Sequence, residues 1–338
     1  MIAPIAPPAL LAVPDLAAVG EARRAVASFA ESVGLGADAL GRLALIATEA
    51  ATNLARHAGG GSLLLRRIGS GRARGVEVVA VDRGRGMEDV GRCLRDGFST
   101  SGTRGEGLGA ISRRADLFDI WSQPGKGTVV MARVVESADE PVESLPTGAV
   151  NVALAHQPIS GDAWAVNERP DAVSLCLVDG LGHGPHAAEA AHEALRVFRE
   201  QAGAAPEEAL RALHLALMKS RGAAASICRI PRDDGPIRFA GIGNVAGTVV
   251  TRDGRRGMLC HNGILGHQVG RIGANDYAAA SGDLIVLHSD GLTMNWELSA
   301  YPGLSQRHPA IVAAILWRDH ARGRDDACVV VVRRGTPG

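Results

Sequence analysis

The stretch ESADEPVESLPTG (136–148) is polar and acidic and carries two prolines, the composition of a linker. Taken as a boundary, it divides the 338 residues into parts of about 135 and about 190, each an ordinary domain size. The hydrophobic fraction of 46% is enough for two cores and argues against disorder. Lys+Arg and Asp+Glu both number 36, so there is no basic surplus to neutralise phosphate, and a general nucleic-acid binder is excluded. Only Lys126 and Lys219 are lysines, which reads as coding bias before chemistry. Five widely spaced cysteines without a CxxC support neither a disulfide framework nor a zinc site, and a reducing cytoplasm is expected. The segment MIAPIAPPALLAVPDL has no basic start and is broken by prolines, so it is a poor signal peptide. No run of 18 apolar residues is present, and no membrane span is expected.

Before the boundary, residues 15–33 and 37–57 have helical apolar spacing, and 62–68 and 75–82 read as strands. The glycine-rich 83–107 predicts a long loop or lid, 108–116 a short helix, and DLFDIWS with GTVVMARVV a hairpin around QPGKG. Two helices ahead of a run of strands predict a two-layer α/β sandwich. After the boundary, AVNVALAH, DAVSLCLVD, ASICRI, IRFAGI, AGTVV, DLIVLHS and ACVVVV read as strands. Helices are expected at 185–203, 206–220 and near 308–319. The expected class is α+β, with a layered sandwich in this half.

Three features of the first half carry chemistry. Glu49, Asn53 and His57 recur every four residues and share a helix face. A carboxylate and an amide oxygen so placed suit a base and a Mg²⁺ ligand, although a polar stripe on a solvated helix has the same spacing. In VDRGRGM (81–87), Asp82 ends an apolar strand and is followed by Gly84 and Gly86. Such a carboxylate can accept from an exocyclic amine, and a D-x-G turn is the bland alternative. In TSGTRGEGLGAI (100–111), Gly105, Gly107 and Gly109 precede a helix, where backbone N–H groups bind phosphate. This loop does not follow a strand of a βαβ unit, so a Rossmann reading fails.

With GKGT (125–128), these motifs resemble, in their order, the GHKL ATPases, and within them the RsbT-like serine kinases and anti-sigma factors, over roughly residues 10–135. The resemblance implies a Bergerat-type ATPase fold that binds ATP with Mg²⁺. It makes Glu49 the catalytic base and Asn53 the Mg²⁺ ligand, with His57 beside the cofactor. Asp82 and Thr128 would take the adenine, and Gly84, Gly86, Gly105, Gly107 and Gly109 would shape the pocket and lid. Glu106 also falls in that lid.

The second half is punctuated by Asp162 (ISGDAW), Asp179 (LVDGLGHG), Asp290 (LHSDGL) and Asp325 (GRDDACVVVV). Carboxylates held at rigid strand ends repel one another unless a cation neutralises them, and oxygen-only ligands favour Mg²⁺ or Mn²⁺. Two such ions suit phosphoester hydrolysis, while any single D-G is as well a turn. The set resembles the PPM-type serine/threonine phosphatases, in the SpoIIE-like and RsbX-like branch, over roughly 148–334. That resemblance implies an α-β-β-α sandwich and two Mg²⁺ or Mn²⁺. Asp179 would bridge the metals, Gly180 offer its carbonyl, Asp290 and Asp325 complete one metal, and Asp162 act through bound water. It implies hydrolysis without a covalent phospho-enzyme. Asp326, the next residue of its strand, faces the other way. The position two after the bridging Asp, a His in many relatives, is Leu181, and His183 is close by.

The expected organisation is an ATPase/kinase-like domain (1–136), a linker (137–147) and a phosphatase domain (148–338). Together they predict a cytoplasmic, bifunctional partner-switching regulator. Its substrate would be a STAS-domain phosphoprotein, an anti-sigma antagonist or stressosome protein, within a set of sigma-factor regulatory proteins. The alternative is a phosphatase whose N-terminal domain only senses ATP or sequesters a partner.

Overall fold

A computed structural model describes residues 9–70, 73–94, 107–137 and 143–335. The chain falls into two compact units, 1–144 with 306–315, and 145–305 with 316–338.

In the first unit, strands β1 (Ala9–Val13), β2 (Gly61–Ile68), β3 (Gly75–Val81), β4 (Leu117–Gln123) and β5 (Gly127–Val135) form one sheet in the order β1-β2-β3-β5-β4. Every neighbouring pair is antiparallel. Helices α1 (Val19–Val33) and α2 (Ala37–His57) cover one face. Helix α1 buries Ala22, Val26, Ala30 and Val33, one stripe at helical spacing. It ends at Gly34, left-handed at φ 81°, whose N–H reaches back to Ala30 and Glu31 carbonyls. Helix α2 presents Leu43, Ile46, Ala47, Ala50 and Leu54 to alternate strand residues Leu63, Leu65, Val76, Val78, Val130, Ala132 and Val134. This is the expected two-layer sandwich. The expected 83–107 loop contains the four-residue helix α3 (Val90–Cys93), capped by Asp89, and α4 (Gly107–Arg114) follows.

In the second unit, β7 (Asp162–Glu168), β8 (Ala172–Gly180), β9 (Ala223–Pro231), β10 (Ile237–Ile242) and β13 (Asn275–Tyr277) form a sheet in the order β13-β10-β9-β8-β7. A second sheet runs β12-β11-β14-β15-β6, from β6 (Thr147–Val152), β11 (Ala246–Thr251), β12 (Gly254–Met258), β14 (Leu284–His288) and β15 (Ala327–Arg333). Strand β8 shows why the sheets stack. Val173, Leu175 and Leu177 meet Ile285, Leu287, Val330 and Val332 of the other sheet. The alternate residues Cys176 and Val178 meet Ala191, Ala194, Leu195 and Phe198 of helix α5 (Pro185–Glu200), beside α6 (Pro206–Ala216). Helix α7 (Pro309–His320), whose residues up to Ile315 belong to the first unit, is apolar over Ala310–Leu316, all of them buried.

Strands β1, β7, β12 and β13 and helix α3 have weak sequence signatures. Strand β1 sits between prolines, DAWAVNE of β7 is half polar, β12 is largely exposed, and β13 has three residues.

On the face of the first sheet away from α1 and α2, Arg66, Glu77 and Arg133 form a cross-strand row. The Glu77 carboxylate accepts from Arg66 Nε (2.8 Å) and Nη2 (3.1 Å) and from Arg133 Nε (2.7 Å). Glu143 accepts from Arg66 Nη1 (3.1 Å) and Arg133 Nη1 (3.0 Å). Burial alone would raise the Glu77 carboxyl, but the two guanidinium groups outweigh it and hold it at about 2. The stabilisation is therefore present above the unfolded carboxyl value and is lost as pH falls through about 2. Glu77→Ala is expected to cost roughly 3–5 kcal/mol, because it removes the buried carboxylate that two buried guanidinium groups share. Glu77→Gln should flatten the acid limb of the stability profile; both effects are read by calorimetry from pH 7 down to 2.

Candidate functional site

The last two turns of α2 carry Glu49, Asn53 and His57, all half-buried and aligned on one face. Opposite them, Asp82 ends β3. Its Oδ1 accepts from the Gly84 N–H (2.8 Å) and the Thr128 N–H (3.0 Å), and its own N–H donates to the Thr128 carbonyl (3.0 Å). Ser122 Oγ accepts from the Met87 N–H (2.9 Å) and shares a hydrogen bond with Thr128 Oγ1 (2.9 Å). These bonds weld the turn after β3 to the β4–β5 hairpin. Only glycine fits at position 86, where φ is 70° and a Cβ would stand 2.0 Å from the Gln123 carbonyl oxygen.

Between helix and turn lies a cavity of about 540 Å³, a volume typical of small-ligand sites. Asn53, His57, Asp82, Gly86, Gly107 and Thr128 line it, and Leu54, Met87, Ile111 and Val130 supply apolar walls. Glu49, Gly84 and Gly109 do not line it. Glu49 Oε2 and Asn53 Oδ1 each lie 3.2 Å from where a Gly107 Cβ would be, Gly84 backs onto Ala58, and Gly109 is buried in α4. Gly105 and Glu106 lie outside the described residues. Asn53 Nδ2 is buried and has no hydrogen-bond partner among the described residues. An orphaned amide in such a pocket fits a polar ligand group. Burial, then Arg85 and Arg56, lowers the His57 pKa, so the imidazole is held neutral. Arg85, Arg92, Asp89 and Cys93 also line the cavity, though only Arg85, set between the two glycines of its motif, had a signal in the sequence.

In the second unit, Asp162 opens β7 directly across from Asp179 of β8. Asp290 follows β14 and Asp325 precedes β15, its antiparallel neighbour. Ser289 Oγ donates to Asp162 Oδ2 (2.6 Å) and accepts from the Cys328 N–H (3.0 Å). Asp326 accepts from the Leu154 and Gly161 N–H groups (both 2.7 Å) and so fixes the approach to Asp162. At Gly180 a Cβ would sit 2.2 Å from the Ala187 carbonyl oxygen, so α5 starts hard against the strand end. Burial, then Asp179, drives the Asp162 carboxyl far upward, against the Ser289 hydrogen bond. Burial, then Asp290, Asp325 and Asp326, pushes Asp179 up to about 7. Burial and Asp325 raise Asp290 as well, while Asn244, hydrogen-bonded to it, opposes the rise.

Among the described residues no three His, Cys, Asp or Glu side chains are gathered into a closed metal cage. Mg²⁺ commonly keeps several waters and takes only one or two carboxylates, so this open, oxygen-only and electrostatically strained donor set fits such an ion. Ser289 and Asp326 were not read as site residues; both adjoin motif aspartates. The histidines play other parts. His214 accepts from the Gly266 N–H (3.1 Å), and His288 is buried against Trp296, whose indole N–H it accepts (3.3 Å). No helix among the described residues is long and apolar enough to cross a membrane.

Residues 12–133 match the family described as histidine kinase-like ATPase domain, and residues 169–335 match stage II sporulation protein E (SpoIIE). The chain is 32% identical over 111 residues to the serine/threonine-protein kinase RsbT of Bacillus subtilis (strain 168), covering 33% of this chain and 84% of RsbT. A solved structure described as "The bacterial stressosome: a modular system that has been adapted to control secondary messenger signaling" aligns with a TM-score of 0.52 at 28% identity. That alignment covers 56% of this chain and all of the other. The chain belongs to the RsbT family of kinase-like ATPases, with a SpoIIE-type PPM phosphatase domain fused to it.

Proposed function

We propose that the chain is a partner-switching regulator that both adds and removes phosphate on a protein serine or threonine. Residues 1–136 would be the kinase-like domain, 137–147 the linker and 148–338 the phosphatase domain. The observation that carries the proposal is the Asp162–Asp179 pair, a buried and a half-buried carboxyl on neighbouring strands that are both driven upward. Such an arrangement costs stability unless a cation binds.

A pair of Mg²⁺ or Mn²⁺ ions, when bound, supplies charge neutralisation and an activated water for phosphoester hydrolysis. Asp179 would hold both ions, Gly180 would offer its carbonyl, Asp290 and Asp325 would complete one of them, and Asp162 would orient water. Ser289 keeps the Asp162 carboxylate aimed. In the other unit, Asn53 would hold Mg²⁺ with ATP, Asp82 and Thr128 the base, His57 and the glycines the phosphate side. Glu49 would take the proton from the acceptor hydroxyl. The RsbT relationship and the stressosome likeness support a STAS-type substrate among sigma-factor regulators, in the cytoplasm. One observation favours a second reading, in which the N-terminal domain binds ATP without transferring phosphate. Glu49 is not among the residues that line the cavity.

The full chain should hydrolyse para-nitrophenyl phosphate only with Mn²⁺ or Mg²⁺, and Asp290→Ala should lower kcat at least about a hundredfold. Asn53→Ala should abolish Mg²⁺-dependent nucleotide binding, measured by calorimetry, and leave that hydrolysis intact. Metal-independent turnover, or hydrolysis undiminished in Asp290→Ala, would remove the metal-centre assignment.

The crowding itself makes a separate prediction. A carboxyl raised in the folded state destabilises it at pH above the raised value, and the penalty fades as pH falls towards the unfolded value. Asp179→Asn should therefore stabilise the metal-free chain by roughly 1–2 kcal/mol at pH 8. It should also forfeit the rise in transition temperature that Mn²⁺ gives the wild type. Scanning calorimetry reads both effects.

A further inference from the structure

Strand β8 ends in Asp179 and Gly180, and β9 begins at Ala223, which pairs with Gly180. The turn that leads into β9 therefore lies beside the loop that leaves the acidic pair. The Leu181 N–H donates to the Gly222 carbonyl (3.0 Å), and a Cβ on Gly182 would lie 3.3 Å from Arg221 Nη1. The far side of this turn is formed by 264–267. His267 Nε2 is 2.9 Å from the Arg221 carbonyl oxygen, and Ile264 Cγ2 would be 2.9 Å from a Cβ on Gly222.

The side chains on this ledge are unusual for their exposure. Leu181 is 48% exposed, Met218 62% and Ile264 36%, while Lys219 and Arg221 are exposed and make no ion pair with any described residue. Apolar groups rimmed by unspent cations, next to a reactive centre, mark a place where a polypeptide is held.

We propose that this ledge is the docking site for the protein segment that carries the phosphorylated residue. The proposal rests on the hydrolytic reading of the acidic centre. Leu181 and Ile264 would take an apolar side chain next to the phosphoserine, and Arg221, helped by Lys219, would pair with a flanking carboxylate. Continuity with Asp179 and Gly180 selects a peptide over a lipid surface.

The test uses the full chain with Mn²⁺ and two synthetic phosphoserine peptides, one flanked by Leu and Asp, the other by Gly on both sides. The Leu/Asp peptide should be the better substrate. Arg221→Glu and Leu181→Ala should each lower its kcat/KM about five- to tenfold, and leave para-nitrophenyl phosphate turnover within about twofold of wild type. A peptide flanked by Lys in place of Asp should recover activity with Arg221→Glu. Anisotropy of the labelled peptides measures docking without turnover, so a chain that bound selectively but hydrolysed nothing would fail the hydrolytic reading alone. Three results would overturn the ledge: equal use of both peptides, parallel loss of aryl phosphate turnover, or binding to phosphatidylserine vesicles in place of peptide selectivity.

Discussion

Setting Asp162 directly across from Asp179 is the constraint around which the second unit is organised. Two carboxylates on adjacent strand ends repel each other, and neither faces bulk water freely, since Asp162 is buried and Asp179 half-buried. The surroundings hold the pair in place without cancelling its charge. Ser289 spends its one proton on Asp162, and Asp326 spends both oxygens on the backbone that delivers Asp162. Those two residues lie at the same end of the β14–β15 pair, one just after β14 and one just before β15. Both sheets therefore meet at the acidic centre, and the strand ends cannot shift independently.

The first unit meets the opposite problem. Its cavity must stay open next to a sheet that would otherwise close over α2. The turn 82–87 is kept in one shape by hydrogen bonds to Asp82, Ser122 and Thr128, and by a glycine whose position tolerates no Cβ. The wall is thus built from backbone bonds, and the side chains of Asn53 and His57 are left to face the space. On the other face of the same sheet, polarity is handled by pairing. Arg66, Glu77, Arg133 and Glu143 exchange charge-assisted bonds while nearly buried.

Much of this was legible because period and punctuation agree. The stripes of α1 and α2 and the apolar runs of β3, β5, β8 and β15 specify their own secondary structure. The β7 segment did not, since DAWAVNE owes its place to pairing with β8 and carries few residues that demand a strand. Ser289 and Asp326 were hidden for another reason. Their importance lies in bonds to groups over a hundred residues away, which no local spacing records. Arg85 stood in plain sight between two glycines, but its direction into the cavity depends on how the turn is welded. Glu49 shows the converse. Helical spacing aligned it with Asn53 and His57, yet it is not among the residues that line the cavity.

The even charge balance has a last consequence. With 36 basic and 36 acidic residues, the chain has no net field to draw a charged partner from a distance. Selection among phosphoproteins must then come from contacts made after encounter, and salt would screen any single exposed pair. An apolar ledge with one or two cations meets that requirement better than a charged groove would. Burial of Leu181 and Ile264 would give affinity that salt leaves largely untouched, and Arg221 would give direction. Its position on the turn beside Gly180 also ties recognition to chemistry, because a segment held there is delivered to the strand end that carries Asp179.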